Sequence, residues 1–267
     1  MSVPPKLTIS PDGRLRGSAQ ITWNDQFPWN YPWPTRNGTA GAFGTAYGGV
    51  IHTEDGFEPG TIKWFNEGIA ESSAFFSIGM DGHIHQYGPL GKNWMAWTQA
   101  AGNPNWRGVE HEDKGDPSTP MTQVQLVASA QVFEAMSTFD GSLGNPWPLE
   151  ATDDPVNGRG IIFHGDGGVP WGDHPDCPGQ VREAQRPAII KLAKQIRAGS
   201  TGPAYITADG TSTLAQLAAQ HHTEPSAMLR ATAEAGPHGH FPQDVADFVD
   251  QAAGPAVPPA GTRLVVP

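Results

Sequence analysis

The chain has one cysteine, Cys177, in 267 residues. A single thiol cannot close an internal disulfide, which excludes a disulfide scaffold and a four-cysteine zinc module alike. Positive charge is scarce too: 16 Lys and Arg stand against 27 Asp and Glu, for a formal charge of −11. With no basic run to meet a phosphate backbone, we expect no nucleic-acid partner. Nowhere do about 18 apolar residues follow one another, so no membrane insertion is expected. The opening stretch MSVPPKLTISPDGRLRG lacks the apolar core of a secretory signal, and we expect synthesis in the cytoplasm without ordinary export. Charged residues make up only 16%, while 33 Gly and 26 Pro mark a loop-rich chain. Nine Trp and eleven Phe supply enough bulk for a core, which argues against disorder throughout.

The chain divides by pattern into four parts. Residues 1–44 have poor periodicity of either kind and read as an irregular strap. Its Trp23, Trp29 and Trp33 are expected to staple it to the domain beneath, with sugar or partner binding as the alternative. Residues 45–197 alternate strand and helix. GGVIHT is a buried strand, and TIKWFNEGI places Ile62, Phe65 and Ile69 at helical spacing. SSAFFSIGMDGHIHQYGPL is a hairpin turning at Asp81-Gly82, and WRGVEHED is another strand. A helix capped by Thr122 follows, then the strand GRGIIFHGD and a last helix, VREAQRPAIIKLAKQIRAG, ending at Gly199. This order predicts an α/β fold with a mixed central sheet flanked by helices. Residues 198–203, AGSTGP, form a linker. Residues 204–267 read strand, helix, turn, helix and closing strand. Arg230 and Arg263 are outnumbered there by Asp209, Glu224, Glu234, Asp244, Asp247 and Asp250, so this part is no anchor to anionic membrane.

Four residues at predicted strand ends carry candidate chemistry: His52, Glu110, His164 and Cys177. His52 follows GGVI and His164 follows GIIF, both where a rigid scaffold gives way to loops. Cys177, in HPDCPG, lies close enough to His164 in sequence to reach the same ion. Two imidazoles and a thiolate suit a catalytic zinc with its fourth position open for water. Such an ion lowers the pKa of that water to about 7 and polarises a carbonyl beside it. In VEHE, Glu110 and Glu112 share one strand face and His111 takes the other, so one carboxylate can aim at the ion while the other stays wet. A solvated strand face explains the pair equally well. His83 and His85 alternate on one strand with no third ligand near in sequence, and we expect surface positions for them. HGDGGVPWGDHPD lacks the EF-hand spacing and reads as a groove-lining loop. Trp94, Trp97 and Trp106 fit stacking on sugar and structural packing equally.

The segments GGVIHT, SAFFSIGMDGHIHQ, AAGNPNWRGVEHE, IIFHGD and DCPG, in that order, resemble the zinc N-acetylmuramoyl-L-alanine amidases of the type-2, peptidoglycan-recognition-protein superfamily. The resemblance covers about residues 45–197. It implies one zinc per chain, held by His52, His164 and Cys177, in a groove over a mixed sheet. It further implies Glu110 as general base, because Ala74 stands where some members carry a tyrosine. Pro175 occupies the position where many relatives hold an oxyanion donor, and His174 beside it is the expected substitute. Phe75 replaces a histidine common in relatives that is not a ligand. YITADGTSTLAQLAAQHHTEPSAMLRA with the closing PAGTRLVVP resembles a LysM repeat, a small βααβ unit that binds N-acetylglucosamine. Ser212 lengthens its usual opening, and about twenty residues interrupt its second half.

Together these imply a peptidoglycan hydrolase acting on the lactyl-amide bond between N-acetylmuramic acid and L-alanine, with glycan strand and stem peptide as partners. The alternatives are a catalytically inactive wall-binding module of the same fold and a virion component carrying a lysis domain. The lack of a signal suggests a phage endolysin released by a holin, or an effector carried by a delivery device, either one acting at the bacterial wall.

Overall fold

The computed structural model describes residues 4–17, 20–24, 43–67, 72–91 and 94–199, residue 216, and the backbone of 204–207 and 263–266. The chain forms two compact units, one spanning residues 5–198 and one combining 1–4 with 199–267. In the smaller unit β9 (Ala204–Thr207) pairs antiparallel with β10 (Arg263–Val266). Residue 216 apart, the stretch between them, with the two expected helices, lies outside the described residues.

The larger unit begins with an antiparallel ribbon of β1 (Thr8–Ile9) and β2 (Leu15–Arg16). Its sheet contains β3 (Ile21–Trp23), β4 (Gly48–Ile51), β5 (Phe76–Ile78), β6 (Ile84–Gln86), β7 (Trp106–His111) and β8 (Gly160–Phe163). The spatial order is β3-β6-β5-β7-β4-β8, and only the β5–β6 pair is antiparallel. The expected mixed α/β sheet is thus what the chain adopts. Residues 8–17 and 20–23, by contrast, are more regular than a strap. Buried Gln86 explains why: its amide donates to the Gly13 and Gly88 carbonyls and accepts from the Leu15 N–H, which pins the ribbon to β6. Trp23 sits on the edge strand with the Arg14 guanidinium 4.2 Å from its ring centroid, while Trp29 and Trp33 lie outside the described residues.

β4, one strand in from the β8 edge, is buried along its whole length and flanked by parallel partners, as expected of strands covered on both faces. Its two glycines answer to close packing. A side chain at Gly48 would strike the backbone of Gly160, and one at Gly49 would strike the Phe133 ring.

Phe133 belongs to α2 (Gln123–Ser142), whose N-cap Thr122 accepts from the Gln125 N–H at 3.2 Å. Gln125 in turn donates to the carbonyls of Ile78 and Glu112, tying the helix to the ends of β5 and β7. Deeper on the same face, Arg107 makes a buried two-point contact with Asp140 of α2 (3.0 and 2.6 Å). On the other face α1 (Glu58–Asn66) packs Phe65 edge-on to Tyr87, 5.1 Å between ring centroids. Ile69, expected on this helix, lies outside the described residues. The last helix is two pieces, α3 (Gln180–Glu183) and α4 (Arg186–Arg197). Pro187 is the reason: it has no N–H to continue a helix and disfavours helical geometry just before it. No helix among the described residues is long and apolar enough to cross a membrane.

Candidate metal centre

Strand register sets out the site. Thr22 pairs with His85, His85 with Ser77, and Ser77 with Glu110. Ile51 pairs with Val109 and with Phe163, so the next residues along, His52 and His164, extend the same row. Paired residues of a sheet point to one face. A polar row therefore crosses all six strands at one level, on the face opposite α2. Its His52–His164 end lies where parallel β4, β7 and β8 finish, the usual position for sites in open α/β sheets.

Ligand-capable atoms of His52, His164 and Cys177 lie within 4.8 Å of one another. The imidazoles of His52 and His164 are 4.4 Å apart at their centroids. Both are buried, which pushes His164 down to about 4 and His52 well below the usual imidazole range, so both are neutral at pH 7 and keep a lone pair. Their partners decide which nitrogen carries it. His164 Nε2 lies 3.0 Å from the Trp171 carbonyl, an acceptor only, so Nε2 is protonated and Nδ1 is free to ligate. His52 Nε2 lies 3.3 Å from Gln99 Oε1. The Gln99 amide nitrogen is committed to the Trp106 carbonyl at 2.6 Å, which turns its oxygen toward His52 and leaves Nδ1 as the donor there too. Partners of this kind orient metal ligands and raise their basicity. We predict that Gln99→Ala weakens zinc binding about 10- to 100-fold, checked by competition with a chromophoric chelator; an unchanged affinity would remove Gln99 from this role.

Cys177 enters from the loop after β8. The Gly165 N–H donates to the Cys177 carbonyl, and the Cys177 N–H to the His174 carbonyl. Thr53 N–H points at Sγ, 3.4 Å away. Buried Arg182 of α3 anchors the segment from behind, donating to the carbonyls of Thr119, His111 and Glu112. Burial, with Glu110 nearby, pushes the Cys177 thiol up to about 12. Two neutral imidazoles and a sulfur around one point, open to a groove, fit zinc.

Glu110 places Oε1 3.9 Å from His52 Nδ1, and its Oε2 is buried with no hydrogen-bond partner among the described residues. Burial, then Asp113, raises its carboxyl to about 8. A cation beside it would draw it back toward the carboxylate. Glu112 instead accepts from the Met80 N–H at 2.8 Å, away from the His52, His164 and Cys177 cluster. His111 turns to α2, hydrogen-bonded to Ser129 Oγ at 2.7 Å. His174 is exposed, its ring 4.7 Å from that of His164, and with Asp173, Pro175 and Asp176 it lines a groove of about 520 Å³ over the cluster. Ala74 and Phe75 are fully buried, and Phe75 packs on Phe43 and Trp94. Trp94 and Trp106 are buried, whereas Trp97 lines an adjoining hollow of about 380 Å³ that shares Thr53, Asp55, Thr98 and Glu110 with the groove.

Gln99, Asp113 and Glu54 were not among the residues expected from sequence. Asp113 ties down the turn after β4, accepting from Thr53 Oγ1 at 2.6 Å and the Gly56 N–H at 2.8 Å. Glu54 accepts from Thr61 at 2.9 Å, but burial and then Glu110 raise its carboxyl from the ordinary 4.5 to about 9. Between those values the folded chain holds a proton that the unfolded chain has released, so stability falls as pH rises. In chelator-treated protein the denaturation midpoint should drop between pH 7 and 9, above the range in which the depressed His52 and His164 make it rise with pH, and less steeply after Glu54→Gln. Identical slopes would show that Glu54 titrates normally.

No protein-family model and no curated protein matches the sequence. Among solved structures, the Staphylococcus aureus hydrolase AmiA in complex with its ligand is similar over 68% of this chain and 85% of that one, at 17% identity and a TM-score of 0.45. The N-acetylmuramoyl-L-alanine amidase LysC from Clostridium intestinale covers 66% of this chain and 97% of its own, at 15% and 0.39. A selenomethionine AmpD derivative covers 54% and 84%, at 21% and 0.38.

Proposed function

We propose that this chain is a zinc-dependent peptidoglycan hydrolase, an N-acetylmuramoyl-L-alanine amidase. The observation that carries the reading is the convergence of His52, His164 and Cys177 within 4.8 Å, with the Glu110 carboxyl, one oxygen of it buried without a hydrogen-bond partner among the described residues, beside them on a groove floor. The order of GGVIHT, WRGVEHE, IIFHGD and DCPG, which resembles the type-2 amidases, supports the choice of substrate. Zinc held by these three residues would polarise the scissile carbonyl and acidify a water at neutral pH. Glu110 accepts a proton from the attacking water and returns it to the leaving alanine nitrogen. The bond from the lactyl carbonyl carbon to that nitrogen breaks, and a lactyl carboxylate and a free alanine amine remain. His174, on the groove rim, is the donor we assign to the developing oxyanion in place of Pro175.

In this reading the LysM-like unit holds the enzyme at the wall and raises its local concentration there. The chain reaches that wall after holin-dependent release or by a delivery device. Mass spectrometry of digested peptidoglycan tests the bond assignment: new alanine amines and intact glycan strands are expected, and new reducing ends without alanine amines would overturn it. Pro175 favours a second reading, a wall-binding module without turnover, because proline offers no N–H to an oxyanion. Zinc-loaded protein that binds peptidoglycan and releases no amine would establish that alternative.

A further inference from the structure

The polar row ends in a second histidine cluster. His83 and His85 were expected at the surface without a third ligand, but α1 supplies one. Ligand-capable atoms of Glu58, His83 and His85 lie within 4.8 Å of one another. His85 is only 8% exposed, and neither of its ring nitrogens has a hydrogen-bond partner among the described residues. We propose that Glu58, His83 and His85 form a second divalent-cation site of the zinc class, which clips the first turn of α1 to the β5–β6 hairpin.

Three observations support it. A Glu58–His83 ion pair accounts for those two residues, 3.3 Å apart, yet leaves buried His85 with no function for its lone pair. Thr22 Oγ1 lies 2.9 Å from His83 Nε2 and can accept its hydrogen, which frees Nδ1 toward Glu58. This repeats the arrangement of a ligating imidazole held by a partner on its far nitrogen. The surroundings are acidic. A side chain added at Gly79 would meet both Asp81 Oδ1 and Glu58 Oε2, so those carboxylates converge over that glycine, and among the described residues no Lys or Arg forms an ion pair with Glu58 or Asp81. Two imidazoles and a carboxylate suit zinc and its first-row neighbours.

The site is separate from the first. His85 and Glu110 sit two strands apart in the row, about 10 Å at ordinary strand spacing. The proposal is independent of the amidase reading. Since α1 contributes Gly60, Thr61, Trp64 and Phe65 to the hollow beside the groove, an ion here would fix one wall of that hollow.

Cobalt(II) titration of the full, tag-free chain separates the two sites, because only the first contains a thiolate. In wild type, sulfur-to-cobalt charge transfer should saturate after one equivalent while equilibrium dialysis counts a further ion. His85→Phe and Glu58→Gln should each bind one ion fewer with the thiolate band intact, and Cys177→Ala should lose the band and keep the other ion. His83→Ala, at a partly exposed position, repeats the test should His85→Phe fail to fold. The proposal is overturned if these variants bind as much cobalt as wild type, as a plain Glu58–His83 ion pair would require, or if Cys177→Ala alone removes every bound ion.

Discussion

A Glu110→Gln protein is expected to keep zinc at the first site and lose about 10²- to 10⁴-fold in alanine release, the usual contribution of a positioned general base. The substitution preserves shape and removes only the proton acceptor. It should not cost stability, since Glu110 is a buried carboxyl crowded by Asp113, with one oxygen unpartnered. The loss should fall on kcat, because the water's proton moves in the transition state and not on binding. Wild-type turnover should rise with pH as Glu110 ionises, and the variant's residual rate should lack that limb. Zinc-loaded Glu110→Gln with full turnover would assign the base elsewhere, with Glu54, near enough to raise its own carboxyl through Glu110, as the next candidate.

Cys177→Ala is expected to lower zinc affinity at the first site by at least about 10²-fold and to abolish hydrolysis with it, given what each ligand contributes to such sites. The thiol adds a signature of its own. Held up to about 12 by burial, it must surrender a proton when the ion binds. Above about pH 8, where Glu110 is already ionised, wild-type affinity should therefore climb about tenfold per pH unit, and the alanine variant should lose that slope. His164→Ala should lose affinity comparably and keep it. A Cys177→Ala protein with unaltered affinity and slope would place the ion on other ligands.

Much of this arrangement is legible in the sequence because it is local. GGVI and GIIF are short apolar runs that must be buried strands, and the histidine following each is carried to the sheet edge by chain geometry alone. Alternation along VEHE separates Glu110 from His111 onto opposite faces, which the Ser129 bond of His111 reflects. What is not legible depends on distant pairing. Glu58 reaches His83 only because α1 lies over the β5–β6 hairpin, and His85 is buried by that helix and by the parallel edge strand β3, which no periodicity announces. Gln99 and the Trp171 carbonyl fix the imidazole tautomers from loops whose course is set by tertiary contacts. The break between α3 and α4 was signalled by Pro187, but apolar spacing runs on across it and suggests one helix.

In the proposed function, an ion held by His52, His164 and Cys177 gives this chain its amidase activity. That role is tested most directly by counting new alanine amines released from purified peptidoglycan by the full chain as isolated, after chelation, and after zinc is restored. Release is expected, with its loss on chelation and its return with zinc in wild type but not in Cys177→Ala. Release that survives chelation, or none from the zinc-loaded wild type, would contradict it.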